Sequence, residues 1–163
     1  MDDVHLAALS GNCPVFEFKT PESKESALVA LTHSSFSAVH NNTGLSKVGS
    51  TAAKAEATEA LFLTTGLLSG EVHNQLVLDQ FTTKNLAVIA KRIKLGESIR
   101  VGKGVSVISD DRYARALEAL LGVVKLYKGP EELLRVVLRL QLVRVPKPEQ
   151  SEGAETEVLK EDK

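Results

Sequence analysis

Two long helical patterns constrain this chain more than any other feature, one over about Lys47 to Leu63 and one from Tyr113 to Tyr127. The first is rich in alanine, carries Glu56 and Glu59, and is ended by Gly66 and Gly70. Alanine favours helix because it gives up no side-chain freedom there. In the second, Ala114, Leu117, Leu120, Leu121 and Val124 recur at helical intervals and form an apolar stripe. With 43 % apolar residues among 163, the chain is of single-domain size and large enough to bury a core.

The flanking segments continue the pattern. Residues 23–37 begin a helix, which Asn41-Asn42-Thr43-Gly44 breaks with turn formers. A second segment, about Glu71 to Lys94, sets Leu76, Phe81, Leu86, Ile89 and Ala90 at mostly helical spacing, with an ambiguous middle near Asp79 to Thr82. Ile99 to Ser109 is short, glycine-punctuated and β-branched, and reads as loop with possible extended pieces. Ser109-Asp110-Asp111 caps the helix that follows, and Pro130-Glu131-Glu132 opens another after Gly129. The expected fold is all-α without internal repeat. Residues 1–22 form an N-terminal extension, 23–145 the folded domain, and 146–163 an acidic, disordered tail.

Composition excludes several classes. One cysteine, Cys13, allows no internal disulfide and no all-cysteine zinc site. No stretch approaches the roughly 20 apolar residues that cross a bilayer. Met1-Asp2-Asp3-Val4-His5 resembles neither a secretory signal nor an Arg-rich transit peptide. His5, His33, His40 and His73 lack zinc-site spacing, and Gly102-Lys103-Gly104 is too short for a nucleotide-hydrolase phosphate loop. No cofactor and no bound metal are expected.

The net charge of −1 hides an asymmetry. Residues 1–83 carry 4 basic and 9 acidic side chains, residues 84–147 carry 14 and 6, and the remainder carries 2 and 6. Two readings follow: ordinary solvation of helices, or a basic half that faces RNA phosphates. On the second reading Lys84, Lys91, Arg92, Lys94, Arg100 and Lys103 bind RNA.

Several pieces, in order, carry a family resemblance. They are Thr32-His33-Ser34-Ser35-Phe36, the run from Asn42 to Ala53, Asn85 to Ala90 with Gly102-Lys103-Gly104, and Leu117-Glu118-Ala119-Leu120-Leu121-Gly122. Together they resemble the ribonuclease III endonuclease domain. That family holds divalent metal over double-stranded RNA with four carboxylates, two from each of two helical segments. The matching positions here are Ser46, Ser50, Arg115 and Glu118. Serine removes two charges, and Arg115 brings a permanent cation that can pair with Glu118 one turn away. Lys47 stands where the family usually has a large apolar residue.

These departures lead to the expectation of a domain that is not an enzyme. The resemblance implies a dimer with a homologous ribonuclease III-like protein, with Leu45, Val48, Gly49, Ala52 and Ala53 at the interface. Within the family the chain is most similar to the ribonuclease III-like proteins of the fungal mitochondrial large ribosomal subunit. The implied role is therefore a structural one in the mitochondrial matrix, on rRNA and beside neighbouring ribosomal proteins. Two alternatives stand beside it. One is a pseudo-nuclease of cytoplasm or nucleus that pairs with an active ribonuclease III and modulates double-stranded RNA processing. The other is an enzyme with displaced ligands, using Asp110, Asp111 and Glu118.

Overall fold

The computed structural model describes residues 4–66 and 69–144, so the tail assigned to 146–163 lies outside the described residues. Seven α-helices follow one another: α1 (Val4–Asn12), α2 (Pro21–Ala30), α3 (Thr43–Thr65), α4 (Gly70–Leu76), α5 (Thr83–Arg92), α6 (Asp110–Lys128) and α7 (Pro130–Arg139). Short 3-10 turns lie at Pro14–Phe16, Leu78–Phe81 and Leu95–Glu97. Among the described residues there is no strand, only an isolated bridge between Thr32 and Arg100. The all-α expectation holds.

The architecture is built around α6. From Ala116 to Val124 every residue except Glu118 is buried, so this stretch is apolar almost all round, as a helix enclosed by others must be. It packs against α2, α3, α5 and α7. Helix α3, about 35 Å long at the usual rise, turns Ser46, Gly49, Ala53, Ala57 and Leu61 inward at three- and four-residue spacing. Leu86, Ile89 and Ala90 of α5 and Leu133, Val136 and Val137 of α7 complete the core.

Local chemistry sets the boundaries. Thr20 caps α2 by accepting from the Ser23 amide at 3.2 Å, with Pro21 in the first turn. That helix stops at Ala30, short of the expected 37. The Thr32 hydroxyl turns back to the Leu28 carbonyl at 2.6 Å, and the Leu31 carbonyl accepts from the Arg100 amide at 2.8 Å. The ambiguous stretch within 71–94 is a true break, and Thr82 caps the new helix by accepting from the Asn85 amide. Gly129, at φ 85°, joins α6 to α7 in backbone space that glycine reaches without strain. The N-terminal extension contributes to the core: Leu9, Cys13, Phe16 and Phe18 are all buried. Lys125 on α6 and Glu56 on α3 pair at 2.7 Å across the main helix crossing.

Candidate functional site

The crossing of α3 over α6 gathers the four positions matched from sequence. A cleft of about 220 Å³ is lined by Thr43, Ser46, Lys47, Thr83, Asp111, Arg115 and Glu118. A second opening, of about 390 Å³, shares Ser46, Lys47 and Glu118 with it and adds Ser50 and Thr51.

Several of the polar groups there are already engaged. The buried Ser46 hydroxyl donates to the Thr43 carbonyl at 2.9 Å, and Ser50 hydrogen-bonds the Glu118 carboxyl. Burial pushes the Glu118 carboxyl above the ordinary carboxylate range; the Ser50 bond and the charges of Lys54 and Arg115 pull it part of the way back. Arg115 does not pair with Glu118, contrary to expectation. Its guanidinium lies 3.3 Å from Asp111, four residues earlier. Helical side chains lean toward the N-terminus, which carries Arg115 away from Glu118 and toward the exposed Asp111.

A divalent cation needs several hard, anionic oxygens fixed around one point. Here one of the four matched residues carries a carboxylate, two are hydroxyls, and one is a cation. Among the described residues, no group of three or more His, Cys, Asp or Glu side chains could hold a metal ion. Asp110 is drawn off by Lys91 at 2.6 Å, and Asp111 by Arg115. The donor set does not fit the four-carboxylate nest of the family, nor the displaced set of Asp110, Asp111 and Glu118.

The six cations expected to meet RNA are distributed unequally. Lys84 and Lys91 sit about 10 Å apart along α5. Lys91 is paired with Asp110 and lies over the Tyr113 ring. Arg92 donates to the Leu140 carbonyl and so closes the end of α7. Lys94 takes a left-handed backbone with φ 54° and is exposed. Arg100 stacks on Phe36, and Lys103 is exposed nearby in sequence.

A second cationic group forms where sequence reasoning did not place one. Lys47 is on the cleft wall, Lys54 acts on Glu118, and Arg112 and Arg115 both act on His33. The His33 amide donates to the Arg100 carbonyl at 2.9 Å, which brings the loop of Arg100 and Lys103 to the same end. His33 itself is biased toward its neutral form. Its Nδ1 accepts from the Ser35 amide at 3.0 Å, which places the ring proton on Nε2. Burial, then Arg112 and Arg115, keep its pKa below the ordinary histidine value. The available signal was the three-residue spacing of Arg112 and Arg115 and the seven-residue spacing of Lys47 and Lys54, each one helical strip.

The proposed dimer residues also divide. Gly49 and Ala53 are buried against α6 in this chain's own core, so they are not available to a partner. Small residues face inward here because the two helix backbones nearly touch. Leu45 and Ala52 are partly buried, and Val48 is 39 % exposed. Among the described residues, no helix is long and apolar enough to cross a membrane.

The molecule is thus an all-helical domain organised on the α3–α6 crossing. Residues 23–145 match the ribonuclease-III-like family model, and the chain belongs to that family. It is 35 % identical over 115 residues to a ribonuclease 3 of Thiobacillus denitrificans, over 68 % of this chain and 50 % of that protein. The chain thus spans about half the length of that relative. Two solved structures of the nuclease domain of ribonuclease III from Campylobacter jejuni share the fold, each with a TM-score of 0.72. They are 24 % and 26 % identical, and cover 83 % and 86 % of this chain and 94 % of their own. One is described in terms of flexibility in a region involved in dimer formation.

These relatives correct the expectation that the chain is not an enzyme. The curated relative is a ribonuclease 3 and both structures are nuclease domains, which points to a nuclease.

Proposed function

We propose that the chain binds structured, double-stranded RNA at the α3–α6 cleft, as one half of a dimer with a second ribonuclease III-like chain. The supporting observation is the convergence of Lys47, Lys54, Arg112 and Arg115 around Glu118 and His33. Double-stranded RNA is recognised by shape, through phosphates and 2′-hydroxyls, and a cationic surface of fixed geometry meets that demand. RNA as ligand is carried over from the ribonuclease 3 relative, and dimerisation from the Campylobacter domain. On α3, Val48 remains open to a partner, as do Phe62 and Leu63 further along the same helix.

At finer grain, the proposed setting is the mitochondrial large ribosomal subunit, where the pair sits on rRNA beside neighbouring ribosomal proteins. The excess of basic residues over 84–147 supports this reading. The nuclease relatives favour a second one: a free dimer with an active ribonuclease III, in cytoplasm or nucleus, acting in double-stranded RNA processing. Purification of the tagged native protein separates them. The ribosomal reading expects a whole large subunit with rRNA; the second expects one ribonuclease III chain with no ribosomal proteins. Recovery of neither RNA nor a ribonuclease III-like chain overturns both.

A further inference from the structure

The loop after α2 carries a phenylalanine that the fold leaves open. Phe36 is 50 % exposed, and the Arg100 guanidinium lies 4.5 Å from its ring centroid. An exposed aromatic on a surface loop is commonly a sign of a frayed tip, but this loop is tied throughout. The Phe36 amide donates to the His33 carbonyl at 2.9 Å, and Asn41 Nδ2 holds the carbonyls of Ser37 and Ala38 at 3.1 and 3.0 Å. The Gly102 amide donates to the Ser35 hydroxyl at 3.1 Å, and the bridge between Thr32 and Arg100 fastens the two loops together. A Cβ on Gly102 would overlap the Ser35 carbonyl, so the loops meet backbone to backbone. The ring is therefore presented by a framework ordered in advance, which lowers the entropic cost of using it.

The surroundings select the ligand. No carboxylate occurs from Ser26 to Ala55 or from Ser98 to Ser109, so neither loop carries an acidic residue. Phe36 is flanked by serines and by His33, with Arg100 and Lys103 on the facing loop. Val39 is the other exposed large apolar residue of its loop, and two such side chains among polar ones make a small apolar patch for a protein partner. A flat ring backed by a guanidinium among cations suits a nucleobase and its phosphate. Paired bases keep their faces covered within the helix, whereas unpaired ones can be splayed out and stacked on aromatic rings.

We propose that the Phe36–Arg100 pair is a stacking platform for an unpaired nucleotide at the edge of an RNA duplex, with Arg100 and Lys103 meeting the adjoining phosphate. This rests on the RNA reading above and adds a preference for a bulge or an end over uninterrupted helix.

The test uses the full chain and two RNA duplexes of about 20 base pairs, one perfectly paired and one with a single bulged 2-aminopurine. The bulged duplex should bind about tenfold more tightly, the ratio that 1.4 kcal/mol of stacking provides, and the fluorescence of 2-aminopurine should be quenched on binding. Phe36→Leu should lose both the preference and the quenching, and Phe36→Tyr should keep them, with circular dichroism confirming that both variants fold. Equal affinity of the wild-type protein for the two duplexes, or a preference that survives Phe36→Leu, overturns the platform and leaves the duplex reading intact. If the wild-type protein binds neither RNA, the RNA reading fails and the platform with it.

Discussion

Gly49 and Gly122 meet backbone to backbone where α3 crosses α6. A Cβ built on Gly49 would overlap the Glu118 carbonyl and stand 2.5 Å from the Gly122 amide nitrogen; one on Gly122 would stand 2.5 Å from the Leu45 carbonyl. Backbone cannot move aside as a side-chain tip can. Gly49→Ala should therefore destabilise the fold by about 2 kcal/mol or more, the overpacking cost exceeding the helix-propensity gain of about 1 kcal/mol. Gly44→Ala is the control, since nothing lies within 4 Å of a Cβ there. Chemical denaturation should show the first variant weakened and the second unchanged or slightly stabilised. Equal midpoints would mean the helices do not cross this closely.

Glu118 gives a pH dependence of defined sign. Its folded pKa is raised by burial, so between the ordinary carboxylate value and that raised value the folded state binds more protons than the unfolded state. Stability falls as pH rises through that window, and the deficit persists above it. Glu118→Gln removes the titration. It should raise the melting temperature at pH 7, with the advantage shrinking as pH falls through that window and levelling off below the ordinary carboxylate value. An advantage that stays constant down to low pH would assign the effect to packing instead.

His33 should be seen directly by nuclear magnetic resonance. With Nδ1 accepting from the Ser35 amide and Arg112 and Arg115 nearby, the neutral Nε2–H tautomer is favoured. Because the folded pKa is lowered, its contribution to stability is complete above the unfolded value and is lost as pH falls toward the folded one. Ring nitrogen shifts followed against pH should place its titration below the ordinary histidine value. A midpoint at or above that value would contradict the arrangement, and Arg112→Ala should move the titration upward.

Cations that face outward should govern the salt dependence of RNA binding. Lys47 and Lys103 are exposed and make no ion pair among the described residues. Replacing both by alanine should flatten the slope of log K against log salt by about 1.8, taking roughly 0.9 per phosphate from duplex DNA. Arg92→Ala should act differently, since its guanidinium holds the Leu140 carbonyl. Its loss should cost stability on the order of 1 kcal/mol while leaving the slope in place. A slope that follows Arg92 and ignores Lys47 and Lys103 would move the RNA surface toward the end of α5.

The long helices were legible because their periodicity is a local property: the stripe from Ala114 to Val124 needs no knowledge of its neighbours. The first helix was not. Val4–Asn12 has a weak pattern of its own, and its Leu9 is buried through packing rather than propensity. Gly49 and Ala53 misled for a related reason, because a small residue looks the same in sequence whether it meets a partner's helix or one from its own chain. Arg115 was read through its nearest carboxylate by count, Glu118, whereas side-chain direction chose Asp111. The cation group at the cleft joins positions 47, 54, 112 and 115 from two helices, so only the tertiary fold assembles it.

The enclosure of α6 has a consequence for how the molecule opens. Four other helices rest on it, so no local fluctuation frees the amides between Ala116 and Val124. Their hydrogen–deuterium exchange should proceed only through global unfolding, while amides of the loop around Val105 exchange early. Arg112, Arg115 and Glu118 project from this same slow-exchanging helix, so the charges at the cleft hold their places for as long as the domain stays folded.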